Sequence, residues 1–306
     1  MVGEGGAGDH LAAIGWLRRQ IGEWGATHIW TSLSRATILC LLIGPSPGLP
    51  AISWQHAAYL KPWNRRLMRL LQSRALLWVG DSHSVTALTA ERLGVPADRL
   101  TCWPIFAADP AMPRANVWRP GEPLRVGSLG RLHPVKGYDV LIAALAQLQA
   151  DGFAPPAPID LRIAGEGAER ARLEAQIGAA GLTRVRLTGF TDDPRDFLAD
   201  LHLYVQPSRS EGFCIAAHEA LTAGVPVIAS AVGELSHSIR QGVTGYTMQP
   251  GNADALAGAL KTMLADPTSL GAIGEVARAD MLNRFSWDRF AARGAAIVSH
   301  IRQASA

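Results

Sequence analysis

The sequence is poor in cysteine, in charge and in long apolar runs. Its 306 residues hold three cysteines, Cys40, Cys102 and Cys214. They are far apart, odd in number and never spaced Cys-x-x-Cys. That pattern excludes a disulfide framework and the usual structural zinc sites, and makes the reducing cytosol the default compartment. Charged residues make up 18%, below the quarter or so of an average chain. With 48% hydrophobic residues the composition excludes wholesale disorder. The longest apolar run, "ATILCLLIGPSPGLPAI", is broken by Gly and Pro well short of a membrane span. The first residues, "MVGEGGAGDH", have neither the basic nor the apolar part of a signal peptide. There is no GxxxxGK[ST] phosphate loop and no cluster of metal-ligating residues. The net charge of +3 does not by itself call for nucleic acid, and none is expected as a partner.

What is present is a rhythm of short apolar strands and amphipathic helices, the signature of an α/β protein with parallel sheets. Strands are expected at "THIWTSL", "LPAISWQH", "ALLWVGDSHS" and "RLTCWPIF". Ser82 or Ser84 is placed to cap the following helix and Gly94 to end it. Residues 107–123, rich in Pro and Ala without periodicity, read as a linker. Beyond them the alternation restarts, through "LRVGSLG", "IDLRIAGEG", "RVRLTGF", "LYVQPS" and "PVIAS". Ser286 is placed to cap a last helix. The expected domains are 1–110, a linker at 111–123, 124–285, and a C-terminal helix at 286–306 packing back toward the first domain. Two such domains leave a cleft, the usual ligand site. Residues 61–74, "KPWNRRLMRLLQSR", hold five cations and no acid. They can lie on an anionic membrane, or form a helix with its apolar face in the core and a solvated basic face.

Four segments carry candidate chemistry, each at a strand end. In "GSLGRLHPVKGYDVLI", Gly130 turns the chain and Arg131 and Lys136 precede a helix, which suits a diphosphate. In "AGEGAER", Gly165 and Gly167 allow close approach to the backbone; tight turns use such glycines too. In "TGFTDD", Phe190 follows a turn glycine, and the plain alternative is a turn with an Asp helix cap. In "SRSEGFCIAAHEALTAGVP", the N–H groups of Gly212, Phe213, Cys214 and Ile215 begin a helix and can hold an anion. Glu211 and Glu219 would repel a phosphate but accept hydrogen bonds from hydroxyls. A ligand that is part anion and part polyol, a nucleotide sugar, satisfies both.

The order GRL-x3-KG, AGEG, TGF, then P-S-x2-EGF-x5-E-A-x2-AG-VPV-IAS resembles the retaining glycosyltransferases of family 4, the group 1 glycosyltransferases. The dense resemblance covers roughly 119–290. "GGAGDH" and "SWQH" resemble the family's Gly-rich loop and its histidine-ending strand more loosely. The resemblance implies a GT-B fold: two Rossmann-like domains with an interdomain cleft, the N-terminal one shortened and lacking its first strand. It implies that Arg131 and Lys136 neutralise the donor diphosphate, that Glu211 binds the donor sugar with the Gly212–Cys214 backbone, and that Glu219 holds the ribose. The turns at 165–167 and 189–190 would line the base pocket. His56 would sit near the donor sugar, and Gly5 and Gly6 near the donor phosphate or the acceptor.

The resemblance further implies transfer of a sugar from a nucleoside-diphosphate donor to a glycan or lipid-linked acceptor, in bacterial surface polysaccharide synthesis. No metal or cofactor is expected. The location implied is cytoplasmic, at the inner face of the cell membrane. The alternatives are a non-catalytic nucleotide-sugar-binding partner of a full transferase, and another GT-B reaction such as epimerisation. Two departures stand out. His237 occupies a family glutamate position in "AVGELSHSI", and "WPIFAADP" replaces the usual hinge. His133, His218 and His237 read as surface or turn residues.

Overall fold

A computed structural model describes residues 7–43, 49–56 and 60–304. The chain divides into two compact units, residues 1–105 with 290–306, and residues 106–289.

The first unit runs α1 (Ala7–Glu23), β1 (Ile29–Ser32), α2 (Ser34–Ile43), β2 (Ala51–Gln55), α3 (Pro62–Leu71), β3 (Leu77–Gly80), α4 (His83–Leu93) and β4 (Leu100–Cys102). The four strands lie in the order β1-β2-β3-β4, all parallel. Helix α2 is made by the apolar run that Gly and Pro interrupt; Thr37 to Leu41 are buried in it. Its near-uniform apolarity carries no helical period, which hides it in the sequence. On one face of the sheet Ile38, Leu41, Met68, Leu71 and Leu93 close over Trp78. On the other, Ile297 and Ile301 pack on Ile52, Leu77 and Val79. Helix α4 starts as its cap residue dictates: Ser82 Oγ accepts from Val85 N at 3.1 Å, and Gly94 ends it with φ +70°.

The second unit continues β5 (Leu124–Leu129), α5 (Tyr138–Ala150), β6 (Ile159–Ala164), α6 (Arg170–Ala179), β7 (Val185–Gly189), α7 (Pro194–Ala199), β8 (Leu203–Gln206), α8 (Ile215–Ala223), β9 (Val227–Ser230), α9 (Leu235–Ser238), β10 (Gly245–Met248), α10 (Ala253–Ala265) and α11 (Leu270–Arg284). The last helix, α12 (Trp287–Ala304), begins here and returns to the first unit. The sheet order is β10-β9-β8-β5-β6-β7, all parallel. One core, built around Leu141, Ile142, Leu161, Ile163 and Leu260, joins α5, α6 and α10 to the sheet. Another, around Tyr204, Leu221, Val227 and Met281, holds α8 and α11. Residues 107–123 carry no helix or strand, yet Ala108 and Met112 are buried in this second core.

The order has a consequence for function. From β5 the chain winds outward through β6 and β7, then returns beside β5 as β8 and winds the other way. Between β5 and β8 the winding direction reverses, and the carboxyl ends of strands at such a switch point are where open α/β sheets bind ligands.

Candidate functional site

Lys136 and Glu211 meet at that switch point. Lys136 ends a 3-10 turn, Pro134–Lys136, in the β5–α5 loop. Glu211 stands in the β8–α8 loop. The ammonium lies 2.8 Å from Glu211 Oε1, with the two side chains 21% and 11% exposed. The same oxygen accepts from Ser208 Oγ at 2.6 Å and Gln206 Nε2 at 3.2 Å. Behind it runs a buried chain of donors. Leu129 N–H donates to the Tyr204 hydroxyl (3.2 Å), which donates to Gln206 Oε1 (2.7 Å). Gln206 Nε2 also donates to Ser208 Oγ (2.7 Å). Tyr204 and Gln206 sit two apart on β8 and so share a face. Every donor is aimed toward one carboxylate, which offsets the cost of taking it out of water.

The loops around this pair nest on glycines. A Cβ on Gly137 (φ +67°) would lie 2.1 Å from Pro207 O, and one on Gly165 (φ +148°) 2.0 Å from Gly130 O. A Cβ on Gly167 would lie 2.2 Å from Leu132 O, and one on Gly233 2.3 Å from Gly212 O. The close approach that Gly165 and Gly167 permit is therefore to the protein's own β5–α5 loop. Phe190, after β7, is 76% exposed. Arg131 is exposed and has no ion-pair partner among the described residues.

Helix α8 starts at Ile215, and Cys214 before it takes a left-handed conformation, φ 66° and ψ 68°. Cysteine gains nothing there, so the bend must be held from outside. His218 holds it. Its Nδ1 lies 2.9 Å from Cys214 O and its Nε2 2.7 Å from Ser238 Oγ. A carbonyl only accepts, so Nδ1 carries the proton and Nε2 accepts from Ser238. His218 is not a surface residue: it is fully buried among Phe106, Phe213 and Phe285. Burial of the Cys214 thiol, with Glu211 beside it, pushes its pKa far up. Glu219 is half-buried on α8, and burial raises its pKa. It lies one turn beyond Ile215, itself 45% exposed, and so shares that residue's side of the helix.

One residue invisible to motif reading completes the geometry. Arg209 donates from NH1 to Asp139 Oδ1 (2.8 Å) and Pro134 O (2.7 Å), and from NH2 to Asp139 Oδ2 (2.7 Å). Its own N–H donates to Val135 O at 2.8 Å. This fork holds the Asp139 carboxyl below its ordinary range.

His56 belongs to the first unit, at the carboxyl end of β2. Its Nδ1 lies 3.3 Å from Asp81 Oδ2 and its Nε2 3.3 Å from Ser32 Oγ. Asp81 is buried, and its other oxygen has no partner. Gly5 and Gly6 lie outside the described residues. His133 and His237 are exposed.

Three comparisons bear on this geometry. Residues 114–280 match the family model of the glycosyl transferases group 1. The lipopolysaccharide core biosynthesis mannosyltransferase LpcC of Rhizobium leguminosarum bv. viciae is 32% identical over 184 residues, 60% of this chain and 52% of that one. The D-inositol 3-phosphate glycosyltransferase of Rhodococcus erythropolis is 29% identical over 290 residues, 91% of this chain and 63% of that one. The chain thus spans roughly half to three-fifths of these relatives' length. Among solved structures, sucrose-phosphate synthase of Thermosynechococcus elongatus superposes with a TM-score of 0.83 at 22% identity, over 97% of this chain and 79% of that one. HepE of Anabaena, solved in complex with UDP and glucose, gives 0.82 at 22%, over 96% and 83%. The fold is the GT-B fold of these glycosyltransferases.

Two buried histidines make the fold sensitive to acid. Burial lowers the pKa of His218 to about 4 and, with the Arg125 charge, that of His202 to about 4, from 6.5. The unfolded chain takes up these protons first. Their contribution is therefore complete above about pH 6.5 and is lost as pH falls toward 4. His218→Leu removes one of the two groups. Denaturant unfolding should give it a shallower loss of stability between pH 6.5 and 4.5 than the wild type; equal slopes would contradict the assignment.

Proposed function

The chain belongs to the group 1 glycosyl transferases, and from that premise we propose that it moves a sugar, with retention, from a nucleoside-diphosphate sugar to a glycan or lipid-linked acceptor. The observation that carries this reading is the meeting of Lys136 with Glu211 at the switch point, with Arg131 and the start of α8 in the same set of loops. Lys136 has three ammonium protons and gives one to Glu211. The others remain for the donor diphosphate, with Arg131 and the first N–H groups of α8. Glu211 takes the donor sugar hydroxyls and Glu219 the ribose. The turns at Gly165–Gly167 and Gly189–Phe190 line the base pocket.

In the reaction the bond from the anomeric carbon to the phosphate oxygen breaks. The acceptor oxygen bonds to that carbon on the same face, and its proton passes to the departing phosphate. Positive charge develops on the sugar and negative charge on the phosphate. The fixed cations and N–H groups stabilise the latter without reorganising. This scheme calls on no metal, so turnover should survive EDTA.

LpcC, a lipopolysaccharide core mannosyltransferase, supports a role in surface glycan synthesis, and HepE, solved with UDP and glucose, supports a nucleotide-sugar donor. Helix α3 supports a peripheral seat at the inner face of the cell membrane. Its outer side carries Trp63 (71% exposed) and Leu70 (77%) among Arg65, Arg66 and Arg69. An exposed apolar ridge flanked by cations suits an anionic lipid surface better than a solvated face.

Three outcomes are expected. A thermal-shift screen of UDP-, GDP- and ADP-sugars should raise the unfolding temperature with one class, and Glu211→Gln should cut turnover by about 100-fold or more. Binding without turnover on any acceptor pool would leave a nucleotide-sugar-binding partner instead, and a free product sugar formed without acceptor would mean epimerisation. Vesicles with anionic lipid should retain the protein at low salt and lose it when Trp63 and Leu70 are replaced by Ser; indifference of the wild type to such vesicles would end the membrane reading.

A further inference from the structure

The proposed reaction gives no part to Arg209, although its guanidinium and its backbone N–H reach Pro134 O, Val135 O and Asp139 around Lys136. We propose that Arg209 is a positioning residue: its fork on Asp139 sets where the Lys136 ammonium stands, and through it the affinity for the donor diphosphate. This rests on the donor site proposed above and adds to it the part that holds the cation in place.

A lysine is a point charge on a four-carbon stem, so its reach is set by the backbone that carries it. Here that backbone is a single 3-10 turn between two left-handed or extended glycines, Gly130 and Gly137. Within the turn Lys136 N–H bonds to His133 O at 2.9 Å and Gly137 N–H to Pro134 O at 3.2 Å. His133 Nδ1 accepts from Val135 N–H at 3.2 Å, and from the β8–α8 loop Arg209 adds its own bonds. Pro134 O and Val135 O, just before Lys136, accept from the Arg209 guanidinium and the Arg209 N–H. Asp139, just after it, has both carboxylate oxygens on the guanidinium. One residue thus brackets Lys136 from both sides in sequence. Because Arg209 lies two residues before Glu211, the same bracket ties the lysine's turn to the loop that carries its carboxylate partner.

The fork lies near the surface, with Arg209 40% and Asp139 22% exposed. Removing it opens no core cavity, and a pair this exposed adds little to stability. What is lost is the register of the two loops. Arg172 stands 3.9 Å from Asp139 and leaves a charge nearby, but no planar fork. A lysine at 209 would keep the charge and lose the bidentate geometry.

The test is a double-mutant cycle on binding of UDP, GDP and ADP, each alone, read by calorimetry well below the unfolding temperature. Arg209→Met should weaken the nucleotide that the wild type binds by about tenfold, as loss of charge-assisted hydrogen bonds does when it acts on one contact. Asp139→Asn, which breaks the same fork from the other side, should do the same. In a Lys136→Met background, Arg209→Met should cost less than about twofold more, because it acts through that lysine. Losses that multiply in the double variant would overturn the proposal. So would affinities unchanged in Arg209→Met while only its thermal midpoint falls, the mark of a purely structural role. A wild type that binds none of the three nucleotides would overturn the donor site itself and this proposal with it.

Discussion

A lysine ammonium 2.8 Å from a carboxylate that is nine-tenths covered is the contact around which the second unit's carboxyl edge is organised. Pairs of this kind are weak sources of stability, because desolvation consumes most of their attraction. Here the surroundings reduce that cost. Ser208, Gln206, Tyr204 and the Leu129 N–H form one directed chain of donors ending on Glu211. Such a chain fixes the carboxylate in one place and leaves the ammonium with spare protons. That arrangement is poised for a ligand carrying both hydroxyls and negative charge.

The loops that present the pair are held by steric necessity more than by side-chain bonds. Gly137 lies against Pro207 O, Gly165 against Gly130 O, Gly167 against Leu132 O and Gly233 against Gly212 O. Each is a place where a Cβ would strike a backbone oxygen. The β5–α5 loop is thus wedged between its neighbours from β6 and β8, and the β8–α8 loop between those from β5 and β9. Such contacts lie on both sides of Lys136, at Gly130 and Leu132 before it and at Gly137 after it. The Gly-rich letters of the sequence are a packing specification first, and this is why the cation and carboxylate can be set so closely.

Much of this was legible in the sequence. Strands β1 to β9 each fall within a segment that the alternation of the sequence marks as a strand. The resemblance in residues 119–290 pointed to Lys136 and Glu211, which stand together. The rest was hidden for identifiable reasons. Helix α2 is too uniformly apolar to have a period, and β10 begins on a glycine with only Tyr246 and Met248 apolar. Arg209 and Asp139 are seventy residues apart, and nothing local in "PSRSEG" distinguishes a fork from a solvated arginine. His218 occupies an apolar position of α8, where a histidine reads as an exception. Only the left-handed bend at Cys214, a tertiary feature, makes sense of it.

The first unit follows the same logic with different chemistry. Its strand ends carry Ser32, His56 and Asp81 in one hydrogen-bonded row, and Trp54 stacks on Trp103 at 4.6 Å below them. For the Lys136–Glu211 pair of the second unit, one measurement is decisive. It is a crystal structure of the chain grown with the nucleoside diphosphate it binds. The diphosphate is expected within hydrogen-bond distance of the Lys136 ammonium and the first N–H groups of α8, with the ribose on Glu219. A diphosphate bound away from the carboxyl ends of β5 and β8, with Lys136 still on Glu211 alone, would contradict this placement.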